Sequence, residues 1–144
     1  RVEMTLRLLD VKYYVLLPET DVVGGGRDFH QWTAVLRATS AMRAYHHVYR
    51  GDYTPWGIAE FLILSRIFPR SAHYCYLQID RRLGELAAMH GQRFPCHRTA
   101  GDMVARLADT DIQALFQSGL HEFVGDGIRV TNRLSTEISR AYHF

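Results

Sequence analysis

Apolar residues recur every three or four positions along nearly the whole chain, and no run alternates apolar and polar residues between turn signals as a strand would. That periodicity confines the chain to helices packed side by side. Residues 1–17 carry Met4, Leu8, Val11 and Val15 on one stripe and stop at Pro18. Glu19 to Arg27 reads as a loop with the run Gly24-Gly25-Gly26, after which Asp28 can cap a second helix reaching about Tyr49. Its stripe is Trp32, Leu36, Thr39, Met42, His46 and Tyr49. Gly51-Asp52 closes it, and Thr54-Pro55 supplies a cap and a first-turn proline for a short helix with Ile58, Phe61, Leu62 and Leu64.

Pro69-Arg70-Ser71 opens a fourth helix, striped by Ala72, Cys75, Ile79, Leu83 and Leu86 and ending near Gly91. Residues 91–98, with Gly91 and Pro95, are where an internal break would fall. A fifth segment covers about Thr99 to Ala108. The last runs from Asp111 towards Tyr142, with Gly119, Gly125 and Gly127 marking a kink or a close helix crossing. The expected fold is all-α, a single domain over residues 1–144 built as a bundle of about five to six helices. The first stripe lacks a capping residue ahead of it and opens on Arg1, so the chain reads as a piece of a larger helical protein.

Composition narrows the function classes. Apolar residues make up 47% and charged residues 22%, as in ordinary globular proteins, and no run approaches the ~18 apolar residues of a membrane span. With no leader-like segment and no cysteine framework, a cytoplasmic location is expected. The net charge is only +2, and the basic residues are interleaved with acids, so nucleic acid is not an expected partner. Lys12 is the single lysine among 17 basic residues. Codon bias in a GC-rich genome explains that, and so does use of arginine as a forked binder of carboxylate or phosphate.

Familiar catalytic signatures are missing. The triple glycine runs into Arg27-Asp28-Phe29 rather than a Lys-Ser/Thr pair, so a flexible loop is the better reading than a phosphate loop. Asp126-Gly127 is too short for a calcium loop. The eight histidines show neither His-x-x-x-His nor Glu-x-x-His spacing, and adjacent His46 and His47 point about 100° apart on a helix, so no metal site is expected. There is no Gly-x-Ser-x-Gly elbow. Cys75, within an apolar stripe, reads as a small core residue, and Cys96 could meet a histidine only in space. Tyr45, Tyr49, Tyr53 and Trp56 could form an aromatic wall or simply pack.

The first helix concentrates the remaining chemistry. Glu3 and Arg7 stand four apart, Arg7 and Asp10 three apart, and Lys12, Tyr13 and Tyr14 follow. Surface ion pairs account for this pattern, and so does a polar seam facing the bundle interior that locks helix register or holds an anionic ligand.

The run Arg1-Val2-Glu3-Met4-Thr5-Leu6-Arg7-Leu8-Leu9-Asp10-Val11-Lys12-Tyr13, followed by Leu16-Leu17-Pro18, resembles the alpha-E family, a bacterial all-helical family named for a Glu-Arg motif. Gln31-Trp32, Val48-Tyr49-Arg50, Ala59 to Leu64, Phe68-Pro69-Arg70-Ser71, Gly119 to Phe123 and Asn132 to Ile138 follow its second half in order. The Glu that would precede Arg1 is absent here, and the family is about twice this long. The resemblance therefore implies the C-terminal half of an alpha-E-like protein, with the missing N-terminal half as one partner. It also implies a context, because such proteins are encoded beside or fused to an ATP-grasp-type ligase, often with a transglutaminase-like protein. An accessory or scaffold subunit of an amide- or peptide-ligating system follows as the expected role, with ATP and magnesium belonging to the ligase and no cofactor of its own. Arg1, Arg7, Lys12 and Arg70 would then be the anion contacts, with Asp10 and Tyr13 beside them. A transferase-type enzyme using Glu3 or Asp10 as general base, and a purely structural bundle, are the alternatives.

Overall fold

The computed structural model describes residues 1–15 and 26–143, with side chains for residues 1–12 and 29–143. These form eight helices and no strand: α1 (Val2–Val15), α2 (Gly26–Ala38), α3 (Met42–Tyr49), α4 (Pro55–Leu64), α5 (Ala72–His90), α6 (Pro95–Asp109), α7 (Ile112–Ser118) and α8 (Leu120–Tyr142). The all-α expectation holds, but with more helices than the five or six read from periodicity, because two long stripes are broken. The capping role of Asp28, Gly24-Gly25 and the side chains of Tyr13 and Tyr14 lie outside the described residues.

The first break divides the stripe of residues 28–49. Ser40 takes a left-handed φ of 56°, and its N–H donates to Arg37 O while Ala41 N–H donates to Leu36 O. These bonds end α2 and restart the chain as α3 in a new direction. The stripe continues in sequence across the corner, so periodicity alone could not show it. The second break is Gly119, whose φ of +112° favours glycine and separates α7 from α8. Local start signals are realised as spaced. Thr54 Oγ1 accepts from Gly57 N–H at 3.1 Å ahead of Pro55, and Ser71 Oγ accepts from Tyr74 N–H at 3.0 Å. α6, the fifth segment read from the sequence, begins at Pro95, four residues before its expected start at Thr99, with proline in the first turn.

α4 occupies the centre, with Ile58, Ala59, Leu62 and Ile63 fully buried and α1, α2, α3, α5, α6 and α7 packed around it. A helix apolar on all sides is stable only in such a position. α1 runs against α8: a Cβ at Gly127 would meet Leu6 at 3.2 Å, and Asp10 meets His121 Nδ1 at 3.0 Å. α5 and α6 form a second pair joined at residues 91–94, with His97 bonded to Leu83 O and Gly101 beside Asp80. Gly127 thus marks a close crossing inside an unbroken α8. No described helix is long and apolar enough to cross a membrane.

Tyr45 is buried, stacked on Tyr49 (4.4 Å between ring centroids) and Tyr53 (5.4 Å) and edge-on to Phe61. Trp56 stays on the surface outside this stack. The aromatic wall is therefore three tyrosines packed into the α3–α4 corner.

One ion pair joins α6 to α8. Asp126 accepts from Arg106 and lies 3.6 Å from Arg129, and the Arg106 guanidinium holds its carboxyl below the ordinary value. A depressed folded-state pKa adds stability above the unfolded-chain value of about 3.9. That stability is lost as pH falls through the lower folded value. Asp126→Asn is expected to flatten this acid limb in urea melts taken between about pH 5 and 2. The effect should stay below about 1 kcal/mol, since the two side chains are 42% and 37% exposed.

Candidate functional site

Where α1, the end of α2 and the α4–α5 connection meet, a half-open cavity of about 260 Å³ is lined by Arg1, Met4, Thr5, Leu8, Ala38, Thr39 and Arg70. Its construction begins with the corner at Ser40. Ending α2 leaves the Thr39 carbonyl without a helical donor, and Arg70 Nη1 donates to it at 3.2 Å, with Ser40 Oγ 3.4 Å away. A cation at a helix C-terminus also meets the negative end of the helix dipole. The Arg70 backbone is fixed from the other side, because Thr5 Oγ1 on α1 donates to Arg70 O at 2.7 Å. Ser71, next in the chain, caps α5 and donates to Ser65 O. Arg70 is thus held at its carbonyl by α1 and at its guanidinium by the end of α2.

Arg1 lines the same cavity. Among the described residues neither Arg1 nor Arg70 has a carboxylate within 4 Å. The remaining wall is apolar, with Met4 65% exposed at the lip and Leu8 behind it. Two cations beside an apolar wall suit a small carboxylate or phosphate carrying an apolar group, while the hydroxyls of Thr5 and Thr39 are taken up by backbone carbonyls. The described lining contains no cysteine, histidine or carboxylate.

The other site residues named from the sequence fall elsewhere. Arg7 lies exposed on α1 and pairs with Glu3 at 2.7 Å, the surface arrangement. Asp10 and Lys12 face inward, about 15 Å along the helix axis from Arg1. Asp10 joins His121 on α8. Lys12 is only 2% exposed and sets its ammonium over Trp32, 4.7 Å from the ring centroid. Tyr13's side chain lies outside the described residues. The first helix therefore carries the surface pair and the interior polar seam at once, on different turns.

Thr5, Thr39 and Ser40, none of them a site residue expected from the sequence, orient Arg70. Their one sequence signal is that Thr5 and Thr39 are polar residues on otherwise apolar helix faces. Both cysteines are buried, and burial pushes each thiol up, away from a reactive thiolate. No three His, Cys, Asp or Glu side chains converge as metal ligands among the described residues.

The Alpha-E family model, described as a predicted alpha-helical domain with a conserved ER motif, matches residues 1–143. No curated protein and no solved structure matches the chain.

Proposed function

Since the chain belongs to the Alpha-E family, we propose that it is an accessory subunit of an ATP-grasp-linked ligase, holding an anionic group of the ligase's substrate or product between Arg1 and Arg70. The observation that carries this reading is the two-sided anchoring of Arg70 beside a second cation with no described carboxylate to neutralise either. A preoriented guanidinium loses little entropy when it grips a carboxylate or phosphate with two parallel bonds. ATP-grasp ligases act on carboxylates through acyl phosphates, so both groups occur along such a reaction. The ligase would supply ATP and magnesium.

The test uses the full-length parent protein with its ATP-grasp neighbour. The two are expected to co-elute in near-stoichiometric yield at physiological salt. Arg70→Ala is expected to raise KM for the carboxylate substrate about tenfold or more, the equivalent of one lost charged hydrogen bond. Arg70→Lys should fall between, keeping the charge without the fork. Stability should drop by only about 1 kcal/mol, for the bond to Thr39 O. Unaltered ligation kinetics in Arg70→Ala, or collapse of the fold, would remove the anion-holding role. Separate elution would remove the accessory role.

A further inference from the structure

We propose that the Arg1–Arg70 cavity continues past Arg1 into a second subsite on α5, and that the two together hold the C-terminal end of a short peptide. This deepens the anion-holding reading above and rests on it. The second hollow, of about 220 Å³, includes Arg1, Val2, Pro69, Tyr74, Gln78 and Ile79 in its lining. The first is lined by Arg1 and by Arg70, the residue after Pro69, so the two hollows meet at Arg1 and at the Pro69-Arg70 step.

The second subsite carries the chemistry of peptide recognition. Tyr74 and Gln78 stand four apart, on one face of the first two turns of α5. Both are half-buried, and among the described residues neither the Tyr74 hydroxyl nor the Gln78 carboxamide bonds to a side chain or to backbone. A carboxamide donates and accepts at once, which is the pattern a peptide group presents in return. Val2, Pro69 and Ile79 add an apolar wall for a side chain. Neither described lining contains an Asp or Glu to receive an ammonium, so the amino end of the peptide lies outside.

The first subsite favours a carboxylate over a phosphate. Arg70 spends Nη1 on Thr39 O, which leaves the Nε–Nη2 edge, one fork for two coplanar oxygens. The further oxygens of a phosphate would find no hydroxyl donor there, since Thr5 and Thr39 donate theirs to Arg70 O and Val35 O. No lysine lines either hollow. Arg1 supplies the second cation, and Met4 and Leu8 supply the wall for the apolar side chain of the last residue.

The experiment titrates the full chain, with no ligase present, with acetyl-alanyl-leucine, its C-terminal amide, 4-methylpentanoate and butyl phosphate. Acetyl-alanyl-leucine is expected to bind about tenfold or more tightly than its amide and about threefold or more tightly than 4-methylpentanoate, with butyl phosphate the weaker of the two short anions. Arg70→Ala should weaken both carboxylates about tenfold or more. Gln78→Leu should weaken acetyl-alanyl-leucine about three- to tenfold, and Tyr74→Phe, which keeps the ring, about threefold. Those two losses are confined to the ligand that carries peptide groups. Equal binding of acetyl-alanyl-leucine and 4-methylpentanoate, or a peptide indifferent to both α5 substitutions, would overturn the peptide assignment and leave an anion site at Arg70. Butyl phosphate binding more tightly than 4-methylpentanoate would overturn the choice of carboxylate. Binding of none of the four, or binding indifferent to Arg70→Ala, would overturn this inference and the anion-holding reading together, whereas separate elution from the ligase touches only the accessory role.

Discussion

Replacing Tyr45 with alanine is expected to lower the unfolding free energy by about 3–5 kcal/mol, the range for removing a large buried aromatic. Tyr45 is fully buried and its ring makes three aromatic contacts, with Tyr49, Tyr53 and Phe61. Its hydroxyl donates to Asp52 O at 2.6 Å, pinning the turn between α3 and α4. The first turn of α4 approaches so closely that a Cβ on Gly57 would meet Tyr45 Oη at 2.6 Å. A cavity there cannot be refilled by its neighbours, because Thr54 and Pro55 fix the start of α4. Tyr45→Phe separates the two contributions: it keeps the ring and loses the hydrogen bond, at about 1 kcal/mol. Urea unfolding of the two variants would measure both. Equal losses would show that the ring stack contributes little and that the corner is held by the hydroxyl alone.

His97→Ala is expected to cost about 2–4 kcal/mol, since it strips a buried hub of hydrogen bonds. Phe94 N–H donates to Nδ1 at 2.8 Å, which assigns the ring proton to Nε2, and Nε2 in turn donates to Leu83 O at 3.0 Å. Tyr142 Oη lies 3.2 Å from Nε2, so the end of α8 gathers on the same ring. His97 does the work of the glutamate or glutamine in the third turn position of a capping box, reaching back to the N–H ahead of the helix. Phe94 has no side-chain oxygen to return the bond. His97→Gln should therefore recover about 1 kcal/mol of the loss by restoring an acceptor for Phe94 N–H. The check is chemical denaturation combined with amide exchange at residues 94–97. A stable His97→Ala protein with unchanged exchange there would show that the α5–α6 turn is held by apolar packing alone.

The helical class, Thr54-Pro55, Ser71 and the end of α5 at Gly91 were legible in the chain, because caps and stripes depend on residues within four positions of each other, whereas Gly119 read as a kink or crossing within one helix and is a break between two. The family was legible for a related reason: short patterns in a fixed order survive as text, and the family match spans residues 1–143. The corner at Ser40 was not. Both sides of it carry the same apolar period, and the bond that occupies the freed Thr39 carbonyl comes from Arg70, 31 residues away.

The candidate site divides along the same line. The family resemblance implied Arg1, Arg7, Lys12 and Arg70 together as anion contacts, and only the packing of α1 against the α4–α5 connection set Arg1 and Arg70 against one cavity. The same packing turned Arg7 outward to Glu3 and Lys12 inward over Trp32, although the two stand only five residues apart. Helical phase alone permits either face to be the buried one. The sequence by itself determined that the chain is helical and where the caps at Thr54 and Ser71 fall. The tertiary structure decided which stripe each neighbour covers, since burial free energy is summed over contacts between residues tens of positions apart and no local pattern records which of them meet.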